Sequence, residues 1–595
     1  MLAFMGSISN TFTYVRKVAR LAPSYIAVSA LNSVISGLSP LILIIMPRLV
    51  IDAITFHSGF PTILCYICIL LVLQLFISLF TSFLSENYLD AKGSMVAMQL
   101  LLEIHSKAAE LDIEQMDSEE MQKQKAMAQE VIYRGIHDEA ISGFFSFITS
   151  FVMVITTASM LFFANAWIVA AIVITAVINI LLVRRTELAD VAFEEQRQEH
   201  MIKMNYYTDV LSGHRFLKEI RLYHLSGWLS RHFTTTMHQL NRDVTALNRR
   251  QYPLCAVNIV VENVKTYAIY LYLAYLAAVG RITIGMFTQY FSAAASFSSN
   301  LLSMMGYVTR LSINGQYLRA YQEYMKQQPV SASEGVQLPL ETPIKTLAFS
   351  NVCFRYPVGT EQVLTNISYC FQKGKVYAIV GENGSGKTTM VNLLCRLYDP
   401  QQGNVLVNGR DAGDYEKTSF QTHFAAVFQD YKNFAFTLRE NITLDRTSDD
   451  SDAHLDRVCS VVGIQELVDK LPDGYDSYLE SVFHQNGANL SGGEKQRIAI
   501  ARAVYRDADV LIFDEPSSAM DPLAEDRLMQ TLFSISSDKI VIFITHRLSS
   551  VSMADEVLFI RDHRIFADGP HQKLMDCCPE YAQYYNAQAK YYVQG

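Results

Sequence analysis

The two halves of the chain follow different hydrophobic patterns. In the first half six apolar stretches recur, at about 22–52, 60–86, 138–163, 166–183, 251–279 and 284–313. Each is long enough for the roughly 20-residue helix that crosses a bilayer. The connections between them alternate. Those near 53–59, 164–165 and 280–283 are short; those at 87–137 and 184–250 are long, charged and helical in pattern. The long ones exceed ordinary turns, so the spans are expected to run on into the aqueous phase and fold back at a tip. Leu111-Asp112 through Glu119 is one candidate tip, and Leu211–Leu229, with Lys218-Glu219-Ile220-Arg221-Leu222, is the other. Such tips suit packing on a soluble domain; the alternative is a solvated helix. From Leu347 the pattern changes to short strands, among them Phe349–Tyr356, Val376–Val380, Phe424–Phe428, Val510–Glu515 and Val541–Thr545. The expected organisation is an elbow helix at 1–21, an all-α six-span domain at 22–325, a polar, Pro-containing linker at 326–345 and an α/β domain at 346–595.

Composition supports this division. The chain has 595 residues, half of them hydrophobic and 18% charged. Length alone would suggest about three or four soluble domains, but the mean hydropathy is positive and argues for membrane segments. Lys and Arg gather in the long loops (Lys107, Lys123, Arg184, Arg185, Lys218, Arg221, Arg249, Arg250), while the short loops offer little beyond Arg281, with Arg48 near a span end. The positive-inside bias therefore places the long loops, the N-terminus and the C-terminal half in the cytoplasm. Arg16, Lys17 and Arg20 precede the first span, and no cleavable signal peptide is expected there. A net charge of −9 gives a nucleic-acid partner no support. Nine cysteines are scattered; Cys65-x-x-Cys68 has redox or zinc spacing but sits in an apolar run with no second pair, so a reduced, packing role is expected.

Charge inside the spans is sparse. Glu262 and Lys265 stand one helical turn apart in the fifth span, where they either line a cavity or pair between helices. The sixth is rich in Ser, Phe and Met (Phe291, Phe297, Ser298, Ser299, Met304, Met305), a surface that suits a bulky amphipathic substrate and equally suits helix packing.

The chemistry lies in the second half. Gly381-Glu382-Asn383-Gly384-Ser385-Gly386-Lys387-Thr388-Thr389 follows a strand and opens a helix, the context of a phosphate-binding loop. Its glycines let backbone N–H groups line an anion nest, Lys387 brings a point charge to the outer phosphates, and the Thr388 hydroxyl suits Mg²⁺. Tyr356 ends a strand ahead of Pro357, where an aromatic stacks on adenine or caps a sheet edge. Gln429, after Phe424–Phe428, reaches Mg²⁺ and an attacking water. Leu490-Ser491-Gly492-Gly493-Glu494-Lys495-Gln496-Arg497 opens a helix, with Ser491 as N-cap and glycines that admit an anion. Asp514 suits Mg²⁺, mostly through water, and Glu515 suits the base for hydrolysis. His546 closes another strand, where an imidazole bonds a γ-phosphate and orients the water. Singly, each has a bland alternative in a cap or structural residue; their order after a phosphate loop points to one nucleotide site.

At these residues the second half resembles the nucleotide-binding domain of an ATP-binding cassette (ABC) protein, with an A-loop aromatic (Tyr356), Walker A (Gly381–Thr389), Q-loop (Gln429), signature (Leu490–Glu494), Walker B (Val510–Asp514), catalytic Glu515, D-loop (Ser518-Ala519-Met520-Asp521) and switch His546. With six spans ahead, the whole resembles an exporter-type half-transporter. The resemblance implies two chains, homodimer favoured over heterodimer, with two ATP molecules between them, each held by the Walker A of one chain and by Ser491, Gly492 and Gly493 of the other. It implies intracellular loops that cross to the partner's domain, closure on ATP binding, and reset through Glu515. Phe428-Gln429-Asp430-Tyr431, Thr437-Leu438-Arg439-Glu440-Asn441-Ile442 and Lys218–Leu222 are similar to bacterial lantibiotic and bacteriocin exporters, and the short N-terminus to those without a leader peptidase. That implies ATP-driven export of a modified peptide or other amphipathic product from a bacterial cytoplasmic membrane. Other readings are a lipid or drug translocator, an exporter-folded siderophore importer, or an ATP-gated channel or signalling protein. In Phe483-His484-Gln485-Asn486-Gly487, Gln485 takes a place that is acidic in many exporters.

Overall fold

A computed structural model describes the chain except residues 1, 58, 165, 214–215, 331–336, 358, 360, 445–451, 482–483, 486, 517–521, 535, 546 and 594–595. It divides into two compact units: Met1–Lys107 with Lys123–Lys326, and Ala108–Gln122 with Gln327–Gly595.

The first unit is helical. In chain order the helices ahead of the strands are α1 (Leu2–Leu21), α2 (Pro23–Thr55), α3 (Phe60–Leu84), α4 (Asp90–Glu110), α5 (Ile113–Met116), α6 (Glu119–Tyr133), α7 (Ile136–Ala164), α8 (Ala166–Ser212), α9 (Leu217–Leu222), α10 (Ser226–Ala278) and α11 (Ile284–Lys326), of which α5 falls in the second unit. The six apolar stretches of the sequence fall largely on six of them, α2, α3, α7, α8, α10 and α11. Pro23 and Pro61 sit in the opening turns of α2 and α3, where a missing N–H costs nothing. One π-helical turn, Ser85–Leu89, carries α3 on into α4, so this span continues well past its apolar stretch, as do α8 and α10. Among the described residues, four helical stretches are long and apolar enough to cross a membrane, and a shorter apolar stretch, Ala166–Asn179, opens α8. The more polar α11 lies at the centre: its Ala293, Ala294 and Phe297 pack with Ile44 of α2, Leu161 of α7, Ile172 of α8 and Leu273 of α10.

Glu262 and Lys265 act between helices. The Lys265 ammonium bonds Glu262 and Ser298, and Asn179 donates to Glu262. The side chain of Lys265 is only 4% exposed, so this polar clasp ties α8, α10 and α11 where unpaired charge would be costly. An apolar cleft lined by Trp167, Val264 and Tyr272 borders Lys265. Cys65 and Cys68 depart from expectation. Both are free thiols, but they lie on the exposed side of α3, a helix with no buried residue, and so pack against nothing in the chain's own core.

The second unit is α/β. A four-stranded antiparallel sheet runs β2-β1-β4-β5, from β1 (Thr346–Phe354), β2 (Leu364–Gln372), β4 (Gln402–Val407) and β5 (Arg410–Asp411). A six-stranded sheet runs β10-β9-β3-β8-β7-β6, from β3 (Lys375–Gly381), β6 (Phe424–Val427), β7 (Val510–Asp514), β8 (Ile540–Ile544), β9 (Glu556–Arg561) and β10 (Arg564–Gly569). The five strands from β9 to β6 are parallel and only β10 runs antiparallel. Every residue of β7 and β8 is buried, which explains their unbroken apolar runs. Register places Asp514 and Ile379 beside Ile544, and Gly381 beside Ile560. The carboxyl ends of β3, β7 and β8 therefore converge, the place where open α/β sheets bind ligands.

The first loop tip belongs to this unit. Asp112 caps α5 and accepts a 2.6 Å bond from Lys417; Asp117 accepts from the Tyr398 hydroxyl; and Gln115 donates to the Gln328 carbonyl. The resemblance implied loops that cross to the partner's domain. Within one chain the first tip engages groups of its own α/β unit.

Candidate functional site

The convergence of strand ends forms a cleft of about 670 Å³ lined by Tyr356, Val363, Asn383, Gly384, Gly386, Lys387, Thr388, Thr389, Gln429, Asp514, Glu515 and Ile544. Its floor is the loop after β3. Gly386 has φ +103°, and a Cβ there would lie 2.6 Å from Leu364 Cδ2 and 2.8 Å from the Val363 carbonyl. Only glycine fits, and the turn it makes starts the helix Lys387–Leu394, whose positive end faces the cleft. The Ser385 hydroxyl is buried beneath the loop without a partner, a donor left ready for an anion.

The charged groups are held close. The Lys387 ammonium curls back onto the carbonyls of Gly381 and Glu382, 2.9 Å from each. Thr388 Oγ1 donates to Asp514 Oδ2 at 2.8 Å. Gln429 Nε2 donates to Glu515 Oε2 at 3.3 Å. Burial pushes the Lys387 ammonium below its ordinary pKa, against the pull of Asp514 and Glu515. Burial likewise lifts Asp514 above the usual carboxylate range, opposed by the Thr388 bond and reinforced by the charge of Glu515. In each group burial outweighs the nearby opposite charge. A phosphate at Lys387 and a cation at Asp514 would relieve both. The hard oxygens of Thr388 and Asp514 are of the type Mg²⁺ takes, one or two protein donors with phosphate and water completing the shell.

Glu515 stands on a strained backbone, φ +53°, conformation costly for a non-glycine residue and typical of functional positions. Two hydrogen bonds hold it there: its N–H donates to Ile544 O, and its carbonyl accepts from Gln496 Nε2, both at 3.0 Å. Tyr356 stands with its ring edge-on to Phe354 and Tyr398, and its hydroxyl bonds Thr389 at 3.0 Å.

The signature residues lie apart from this cleft. Ser491 caps the helix Gly492–Tyr505 through a capping box with Glu494, whose carboxyl those Ser491 bonds hold below the usual range. Ser491, Gly492 and Gly493 do not line the chain's own cleft. Tyr431 donates to the Gly492 carbonyl at 3.0 Å and Asn433 to the Lys495 carbonyl at 3.1 Å, tying the segment after Gln429 to the start of that helix. His546 and the D-loop Ser518–Asp521 fall outside the described residues, as do Phe483 and Asn486.

Sequence reasoning missed four contributors. Asn392 donates to the Tyr356 hydroxyl, Gln496 holds Glu515, Val363 walls the cleft, and Tyr584 donates to the Gly381 carbonyl. Gln496 lay in view within the signature stretch; the others gave no local signal.

Comparison with known proteins agrees with this geometry. Residues 364–518 match the family model described as ABC transporter. The subtilin transport ATP-binding protein SpaT of Bacillus subtilis is 28% identical over 556 residues, 92% of this chain and 89% of that one. An ATP-dependent lipid A-core flippase of Haemophilus influenzae is 38% identical over 242 residues; this chain spans only 40% of its length. Among solved structures, a bacterial Atm1-family ABC exporter with ATP bound has a TM-score of 0.79 at 22% identity, covering 96% of this chain and 99% of that one.

Proposed function

We propose that this chain, an ABC exporter half-transporter with an ATPase domain fused to a helical membrane domain, works as a dimer of two such chains that exports a modified peptide or other amphipathic product from the cytoplasm. The cleft carries the ATPase reading: Tyr356, Lys387, Thr388, Gln429, Asp514 and Glu515 meet in one place. In this reading Tyr356 receives the adenine and the Gly381–Thr389 loop wraps the phosphates, with Lys387 turning from its carbonyl partners to the outer ones. Thr388 and Asp514, assisted by Gln429, would hold Mg²⁺, which when bound neutralises charge on the phosphate oxygens. Glu515, placed by its strained backbone and by Gln496, takes the proton of the attacking water, and His546 orients that water.

The second wall of the site comes from the other chain. Ser491, Gly492 and Gly493 do not line the chain's own cleft, which supports their use on a partner's ATP. A homodimer is favoured because both half-sites on this chain carry their full motif sets. The charge bias of the long loops supports a cytoplasmic nucleotide domain in a bacterial cytoplasmic membrane. A peptide cargo rests on the relative aligned over most of both chains being a subtilin transport protein, together with the motif resemblance. A lipid cargo would rest on the flippase matches, which cover 40% to 57% of those relatives.

The decisive measurement is ATP turnover and cargo movement in inside-out vesicles. Glu515→Gln should retain nucleotide but lose hydrolysis by roughly 10²–10⁴-fold, the contribution of a positioned base. Wild-type turnover in that variant would refute the base assignment. ATP-dependent uptake of a lanthionine peptide, but not of a labelled lipid, would support the peptide cargo; the reverse outcome would replace it by the lipid reading.

A further inference from the structure

The last helix of the chain reaches the phosphate loop. Within Pro579–Val593, Tyr581 is buried against Phe559 and bonds His571. One turn on, the Tyr584 ring leans on the same Phe559, 5.4 Å between centroids. Phe559 lies on β9 beside Val380 of β3. From there the Tyr584 hydroxyl donates a 3.0 Å bond to the carbonyl of Gly381, the first residue of the loop.

That carbonyl has a second donor, the Lys387 ammonium, 2.9 Å away. Its surroundings are tight. Gly381 is buried, and a Cβ on it would lie 2.2 Å from the Ile560 carbonyl. When Lys387 turns to a phosphate it abandons two carbonyls. Glu382 is exposed and water can replace the ammonium there. Water has no such access at Gly381, where a carbonyl without a donor would cost its full desolvation penalty.

We propose that Tyr584 is a positioning residue of the nucleotide site, its hydroxyl holding the Gly381 carbonyl while Lys387 is drawn away to the phosphates. This rests on the reading of Lys387 as the phosphate-binding lysine. The C-terminal helix thereby becomes part of the ATP site without touching ATP. Among the described residues the carbonyl has two side-chain donors; with Lys387 turned to a phosphate it keeps Tyr584, and without Tyr584 it keeps neither.

The experiment uses the full-length protein in detergent or nanodiscs, comparing wild type, Tyr584→Phe, Lys387→Met and the double variant, with Tyr585→Phe as a neighbouring-ring control. Two readouts are taken: affinity for a fluorescent ATP analogue with KM and kcat for ATP, and the unfolding midpoint without nucleotide. In Tyr584→Phe the Kd and KM should rise roughly three- to tenfold, the loss of one hydrogen bond at a buried carbonyl, with kcat moved less. The nucleotide-free midpoint should barely change, because Lys387 still serves the carbonyl. In the Lys387→Met background the same change should lower the midpoint more than in the wild-type background. Wild-type nucleotide affinity in Tyr584→Phe, or midpoint effects that simply add, would overturn the proposal. Undiminished nucleotide affinity in Lys387→Met would instead overturn the lysine's role, so the two failures are distinguishable.

Discussion

Gly386 shows how narrowly single residues specify the cleft. A side chain there would meet a positive φ together with contacts of 2.6 and 2.8 Å to Leu364 and Val363. Gly386→Ala should therefore cost about 2–4 kcal/mol, combining left-handed strain with overpacking, and nucleotide affinity should collapse with it. A thermal melt and an ATP-binding titration check both; a variant with wild-type values in each would show that the turn adapts. The nine residues of this loop were legible because their task is local: glycines, a lysine and a hydroxyl act within one strand-turn-helix. Gln429, Asp514 and Glu515 were legible for a related reason, since each ends a buried strand and parallel strand ends converge. Tyr584 was not legible. Its partner lies 203 residues earlier, and a tyrosine in a mixed C-terminal helix has no pattern that points to a carbonyl.

Among the elements, the first loop tip is the least expected. Its existence could be read from the length and charge of 87–137, but its destination could not, because the matching groups, Lys417 and Tyr398, come from unrelated stretches. Tyr398 joins two functions: its hydroxyl bonds Asp117 on the tip while its ring stands edge-on to Tyr356, 5.2 Å between centroids. The Asp112–Lys417 pair is mostly buried, with side chains 10% and 19% exposed. Hydrogen bonds to charged groups in such settings contribute about 1.5–3 kcal/mol. Asp112→Lys or Lys417→Asp alone should thus lower the melting temperature and weaken the dependence of ATP turnover on the membrane domain. Combining the two restores the opposite charges in exchanged places and should recover most of both. If the double variant is no better than the worse single one, the pair does not hold the tip. Gln485 bears on a different contact, since it lies in the segment before the signature helix and not at this tip.

At the scale of the whole molecule, the placement of the signature residues has a consequence that a single chain cannot display. Lys387 opens onto the cleft, whereas Ser491, Gly492 and Gly493 do not line it. A site complete within one chain would place them together, so each nucleotide is expected to need two chains. Mixing defects tests this directly. In a Lys387→Met homodimer both sites lack the lysine, and in a Gly492→Arg homodimer both lack the glycine that admits the phosphate. A mixed dimer concentrates both defects in one site and leaves the other intact: the lysine of the second chain with the signature of the first. Vanadate-trapped nucleotide should be absent from each pure variant and should return, at roughly half the wild-type amount if the two sites trap independently, when differently tagged chains are co-expressed and the mixed dimer is isolated. Self-contained sites would leave the Lys387→Met chain dead in every mixture and would make trapping by the Gly492→Arg chain indifferent to its companion. Recovery confined to the mixed dimer would also show that this chain pairs with itself, because no other polypeptide is present to complete the intact site.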